Sequence, residues 1–130
     1  MFENDIALVT GASRGIGRAI AARLGAAGAT VIGTSTSAEG AERFGAELAA
    51  AGARGRGAVL DVGEGASIDA LIADLDDRGE LPTILVNNAA VTRDGLMLRM
   101  KQDDWDRVIA TNLTSVFRLA KASLDRKSVV

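Results

Sequence analysis

Residues 6–17 read IALVTGASRGIG, and the rest of the chain arranges itself around them. An apolar run of β character, Ile6-Ala7-Leu8-Val9, ends at Thr10 and enters a loop that carries Gly11, Gly15 and Gly17. The loop opens into Arg18-Ala19-Ile20-Ala21-Ala22-Arg23-Leu24, with apolar residues at Ile16, Ile20 and Leu24 in helical spacing. Glycines let a backbone take positive φ and approach a ligand closely. The first N–H groups of a helix have no intrahelical partner, and the dipole there favours anions. Such a segment is either a tight strand-to-helix turn or a cradle for nucleotide phosphates. A strand before the loop and a helix after it are the context the second reading requires. The spacing is Gly-x-x-x-Gly-x-Gly rather than Gly-x-Gly-x-x-Gly. No Lys-Ser or Lys-Thr follows the glycines, which excludes the phosphate loop of nucleoside triphosphatases.

Working outward, Gly28 stands where a helix-ending glycine belongs. Residues 30–34, TVIGT, predict a second strand. Ser37 suits the cap of a helix with Ala41, Phe44, Leu48 and Ala51 on one side, closed by Gly52. Residues 57–61, GAVLD, predict a third strand. Ser67 is placed to cap a helix bearing Ile68, Leu71, Ile72 and Leu75 that ends near Gly79. Pro82 precedes a fourth strand over 83–87. A polar loop over 88–95 leads to a helical turn at 96–100. Asp103 then starts a last helix with Trp105, Val108, Ile109, Asn112, Val116 and Ala120 at three- and four-residue spacing. Strands alternating with helices predict an α/β fold with a parallel sheet and right-handed crossovers.

A length of 130 residues suits one domain or one half of a larger α/β unit, with no second domain or repeat in view. A chain of this size buries roughly two-thirds of its unfolded surface. Its apolar residues are mostly Ala, Leu, Ile and Val, as helices laid over a parallel sheet require. A net charge of −2 gives no argument for nucleic acid or an anionic membrane. There is no cysteine, hence no disulfide framework and no thiolate metal site. With no secretory segment and no apolar run near the roughly 18 residues of a membrane span, a cytoplasmic location is expected. His and Tyr are both absent, which removes the commonest general acid–bases.

Thr10-Gly11-Ala12-Ser13-Arg14-Gly15-Ile16-Gly17, then Asp61-Val62, Asn87-Asn88-Ala89-Ala90 and Asn112, follow the motif order of the short-chain dehydrogenase/reductase family, which the chain resembles over residues 5–124. VIGTSTS, VNNAAVTRDGLMLRM and TNLTSVFRLAKA are similar to the family's bacterial 3-oxoacyl-acyl-carrier-protein reductases. The resemblance implies a Rossmann-like doubly wound sheet of order 3-2-1-4, with a cofactor across the carboxyl ends of the strands. Gly11, Ser13, Gly15, Ile16 and Gly17 would then face the pyrophosphate and ribose. Asp61 and Val62 would meet the adenine, although a strand-end Asp read alone is equally a turn cap. The Asn pair read alone is a turn. In the family it stabilises the central sheet and brings Asn88, Ala89 and Ala90 to the cofactor. Ala90 stands where the family usually has Gly, adding a methyl on the nicotinamide side. Asn is a poor helix former, yet Asn112 sits inside an apolar helical pattern. The matching family residue interrupts that helix and holds a water in the proton relay, so Asn112 is the expected catalytic residue.

Cofactor choice follows from residue chemistry. Sites that prefer NAD place a carboxylate at the end of the second strand for the ribose 2′-hydroxyl. Here Gly33-Thr34-Ser35-Thr36 stand there, with no acid before Glu39. Arg14 is either a solvated surface charge or a cation for a 2′-phosphate; with Thr36 it makes NADP(H) the expected cofactor. The family's reaction moves a hydride from NADPH to a 3-oxo thioester, with a Tyr as proton donor, a Ser beside it and a Lys four residues on. This sequence holds no Tyr. Ser128-Val129-Val130 echoes the family's strand-end Ser-Val-Val, but the preceding Asp125-Arg126-Lys127 is too charged for a buried strand. Residues 1–124 are therefore expected to be the dinucleotide-binding portion of a reductase, inactive by itself, and 125–130 a tail unlike the family. The alternative is a free-standing NADP-binding module, or an inactive subunit pairing with a complete reductase. A substrate linked to acyl carrier protein and a homotetramer are what the family implies.

Overall fold

Ala7, Leu8 and Val9 are fully buried because the strand they form lies inside a sheet covered on both faces. The computed structural model describes residues 1–89, Gln102, Asp103 and Leu119, the last three all helical. Its elements are β1 (Ile6–Val9), α1 (Gly15–Ala26), β2 (Thr30–Ser35), α2 (Ala38–Ala50), β3 (Arg54–Val59), α3 (Gly65–Asp77) and β4 (Ile84–Val86). The sheet is parallel, in the order β3-β2-β1-β4. The expected loop over 90–95, the turn at 96–100, most of the last helix with Trp105, Asn112 and Val116, and the tail 125–130 lie outside the described residues.

Strand side chains alternate between faces, and the two halves of the core separate accordingly. Ala7, Val9 and Val31 pack on one face with Ala21 of α1 and Phe44 and Leu48 of α2. Leu8 and Ile32 pack on the other with Ile68, Leu71, Ile72 and Leu75 of α3 and with Leu119. The chain winds from β1 outward through β2 to β3, then returns past β1 to β4. The direction of winding thus reverses between β1 and β4, and an α/β sheet binds its ligands at the carboxyl side of such a point.

α1, α2 and α3 each stop on a left-handed glycine: Gly28, Gly52 and Gly79. The next residue's N–H reaches back to the last turn, from Ala29 to Leu24 O at 3.1 Å, Ala53 to Leu48 O at 3.0 Å and Glu80 to Leu75 O at 2.8 Å. These bonds satisfy carbonyls the helix itself leaves open. At the other end of α2, Ser37 Oγ accepts from Gly40 N at 3.0 Å, the expected cap.

Four local expectations are corrected. The third strand begins at Arg54 rather than residue 57, because Arg54 pairs with Thr30 and its guanidinium donates to Gly28 O at 2.7 Å and Glu3 O at 3.1 Å, anchoring the start. Ser67 does not cap α3: Glu64 occupies the cap position, and Ser67 Oγ accepts from Asp61 N at 3.0 Å. The fourth strand is confined to Ile84–Val86, with Thr83 tied to Ile6 just before it. Ile16 is 75% exposed, so the buried stripe of α1 is not Ile16 and its helical repeats. Gly17 and Ala21 hold that position, since the bare face of Gly17 seats the helix on the preceding loop. No helix among the described residues is long and apolar enough to cross a membrane.

Candidate nucleotide-binding site

The carboxyl ends of β1, β2 and β4 are stitched together by two buried threonines. Thr10, 1% exposed, receives the N–H groups of Asn88 at 3.0 Å and Ala89 at 2.9 Å on its hydroxyl, which donates to Val86 O at 3.3 Å. Thr34, 2% exposed, accepts from Gly11 N at 3.2 Å on its hydroxyl and from Ala12 N at 2.9 Å on its carbonyl. The first fixes β4's exit against β1; the second fixes the glycine loop against β2.

Asn88 completes the frame. Its Nδ2 donates to Gly11 O at 3.0 Å, from a position that leaves no room for a side chain at Gly17. A Cβ on Gly17 would stand 2.2 Å from Gly11 O and 2.4 Å from Asn88 Nδ2. Gly11 itself has φ +64, a conformation that side chains rarely adopt. Gly15 is the reverse case: no described residue lies within 4 Å of where its Cβ would be, so the loop is open to them on that side. There α1 begins with Arg14 in the cap position, no side chain capping its first turn and no acidic residue within it. Its leading N–H groups and the positive end of its dipole are therefore presented for an anion.

In front of this loop lies a cleft of about 290 Å³, lined by Gly11, Ser13 and Arg14 after β1, Ser35 and Thr36 at the end of β2, and Asn88 and Ala89 after β4. Among the described residues, Arg14 is the one charged member of that lining, and none of them contributes a carboxylate. Gly15 and Ile16 are exposed on the first turn of α1 beside Arg14. A second hollow of about 250 Å³ runs between α1 and α2. It is mostly alanine, Phe44 and Leu48, with the Arg18–Glu47 ion pair at its edge, and lies away from the strand ends. Convergent polar groups, not size, single out the first.

Of the residues singled out in the sequence, Gly11, Ser13, Arg14, Thr36, Asn88 and Ala89 meet in one cleft. Gly17 is buried behind it, as the seat of the helix. Asp61 and Val62 stand apart after β3. Val62 packs in the core with Ile68 and Leu60, and Asp61 Oδ1 accepts from Gly63 N at 2.9 Å, closing a turn. Ala90 and Asn112 lie outside the described residues. Thr10, Thr34 and Ser35 had no role assigned from the sequence; an apolar strand that ends on a threonine at the loop was the available signal. The carboxyls held below their ordinary range, Glu3 by hydrogen bonding to the chain's own amino terminus and Asp74 by that of Arg78, take no part in the cleft.

Comparison with known proteins places these features in a family. The family model described as short chain dehydrogenase matches residues 5–128. The 3-oxoacyl-acyl-carrier-protein reductase FabG of Pseudomonas aeruginosa is 52% identical over 122 residues, 94% of this chain and 49% of the relative. The FabG reductases of Salmonella typhimurium and Escherichia coli are each 54% identical over 121 residues, 93% of this chain and 48% of theirs. The chain thus spans about half the length of the curated relatives it matches. Sheet order, glycine loop and sequence agree, and the chain belongs to the short-chain dehydrogenase family.

Proposed function

We propose that the cleft binds NADP(H), and that the chain is the cofactor-binding portion of a cytoplasmic reductase for 3-oxoacyl thioesters of acyl carrier protein. The observation that carries the cofactor reading is the lining itself: an uncapped helix start and Arg14, with no carboxylate at the end of β2. An NAD-selective site needs that carboxylate, and a 2′-phosphate is repelled by one. The residues fit the group, since the loop is open at Gly15 and closed by side-chain-free contacts at Gly17. The substrate reading is supported by the identity of 52–54% to reductases of that name.

Bound there, the cofactor supplies a hydride. The first turn of α1 takes the pyrophosphate on backbone N–H groups, and Arg14 with Thr36 holds the 2′-phosphate. Asp61 and Val62 border the adenine, Asn88, Ala89 and Ala90 the nicotinamide side, and Asn112 holds a water for the proton relay. Proton delivery to the carbonyl needs a donor that the 130 residues do not include as Tyr, His or Cys, so the chain by itself binds without reducing. In the complete enzyme a family-type homotetramer is the expected assembly. Fluorescence titration of the 130-residue chain with NADPH and with NADH tests the reading. NADPH is expected to bind at least about tenfold tighter, the worth of one charge-assisted contact. Equal affinities, or binding of neither, would overturn it.

A further inference from the structure

We infer that Thr34 is a positioning residue for the cofactor: from β2 it holds the upstream half of the glycine loop so that only the downstream N–H groups are offered to the ligand. Thr34 is 2% exposed and does not line the cleft, so it does not itself touch what binds there. Its hydroxyl oxygen accepts from Gly11 N at 3.2 Å and its carbonyl from Ala12 N at 2.9 Å. Two successive loop amides are thereby committed to one residue of the neighbouring strand. Asn88 Nδ2 holds the same segment from the other side through Gly11 O at 3.0 Å. The loop turns at Gly11 with φ +64 and again at Gly15 with φ +62, and α1 follows without a side-chain cap. What remains for an anion is the run of amides after Ala12, from Ser13 through the second turn into the start of α1. The aim of that run is set by the first turn, and the first turn is pinned by Thr34.

This assignment differs from the one carried by Arg14 and Thr36. Those residues face the cleft and bear on the 2′-phosphate, which only one of the two nicotinamide dinucleotides possesses. Thr34 acts on the loop that meets the pyrophosphate, which both possess. Losing its hydroxyl must therefore weaken both cofactors alike and leave the preference between them unchanged. Thr34→Val keeps the branched shape and removes the acceptor, leaving the part-buried Gly11 N without its partner; Thr34→Ser keeps the acceptor and removes a methyl.

The inference rests on the cofactor reading above, and its test separates the two. NADPH and NADH are titrated into the 130-residue wild type, Thr34→Val and Thr34→Ser, and backbone amide exchange is followed in the wild type by NMR. The expected result is about tenfold weaker binding of both nucleotides by Thr34→Val, recovery to within about twofold in Thr34→Ser, and an unchanged NADPH-to-NADH ratio throughout. Wild-type affinity in the Val variant overturns the inference, as does a Ser variant as weak as Val. If Thr34→Val does not fold, the exchange data decide. Gly11 and Ala12 amides protected without nucleotide support the inference; exchange there as fast as in an open loop overturns it. A wild type that binds neither nucleotide, with Gly11 and Ala12 still protected, counts against the cofactor reading and not against the role of Thr34 in holding the loop.

Discussion

A methyl group at position 17 would have to share space with a backbone carbonyl, Gly11 O, at 2.2 Å. Alanine is favoured over glycine in a helix by about 1 kcal/mol, but overpacking against an atom that cannot rotate away costs about 1–3 kcal/mol. Gly17→Ala is expected to lower stability in urea unfolding; a variant as stable as the parent would mean the loop moves aside freely. Arg14 is exposed beside the cleft and makes no cap bond to α1. Replacing it by Ala should remove about 1.5–3 kcal/mol of NADPH affinity while NADH is unaffected, measured by parallel titrations. An NADPH-to-NADH ratio that did not change would leave the 2′-phosphate without Arg14. At this scale the glycines and Arg14 stood out as residue types placed at a turn, whereas Asn88 stood out only through the family resemblance; Gly11, Arg14, Thr36 and Asn88 line one cleft. Thr10 and Thr34 did not stand out. Their bonds join residues 78 and 23 positions apart, and no local pattern in a sequence announces a long-range hydroxyl contact. Ile16 misled for a related reason: its helical spacing is real, but the contact made by Gly17 decides which side of α1 faces inward.

The approach of α2 to the sheet is set by strand glycines. A Cβ on Gly57 of β3 would stand 2.0 Å from Ala41 O, again a backbone atom. One on Gly45, in α2, would meet nothing nearer than Gly57 N at 3.6 Å, an ordinary contact. The two changes should therefore have opposite signs. Gly57→Ala loses about 1–3 kcal/mol by lifting α2, while Gly45→Ala gains up to about 1 kcal/mol from helix propensity. Chemical denaturation of both variants checks the pair, and a stabilised Gly57→Ala would sink the packing argument. On the other face, Asp74 of α3 receives Arg78 Nε at 3.1 Å and Arg56 Nη2 at 3.3 Å. The Arg78 bond first, and the charges of both arginines after it, hold its carboxyl below the ordinary 3.8. A lowered carboxylate pKa stabilises the fold above its unfolded value and ceases to do so as pH falls through the folded one. Asp74→Asn should accordingly narrow the stability difference between neutral pH and pH below about 3.8, by a small amount because the pair is solvent-exposed. An acid-unfolding curve unchanged by the substitution would mean the pair does nothing. The helix ends were legible, since a glycine after a periodic stretch has one common structural use. The start of β3 was not, because Arg54-Gly55-Arg56-Gly57 lacks every local mark of a strand and is ordered by the pairing that β2 imposes.

For the molecule as a whole, alternating strands and helices made a parallel sheet with right-handed crossovers readable, while the order 3-2-1-4 came from the family resemblance of the glycine-loop and Asn motifs. The site is assembled from the ends of three strands, β1, β2 and β4, which are brought together only when the sheet forms. Nothing in the unfolded chain presents Gly11, Thr36 and Asn88 to one ligand. A nucleotide that binds this cleft therefore binds the folded state alone, and its binding energy adds to stability by mass action. At a concentration of 100 times its dissociation constant the gain is about 2.7 kcal/mol. For a domain of this size that corresponds to a melting temperature raised by upwards of about 5 °C. NADPH should produce that rise in the 130-residue chain, NADH a smaller one at the same concentration, and both should shrink, NADPH's the more, when Arg14 and Thr34 are replaced together. In the same sample, NADPH oxidation should show no dependence on an added 3-oxoacyl thioester, since stabilisation requires only the cleft whereas reduction requires a proton donor as well. Thioester-dependent oxidation by the pure chain would show that some residue other than Tyr, His or Cys delivers the proton. No thermal shift with either nucleotide would mean that the three strand ends do not form the binding site their geometry describes.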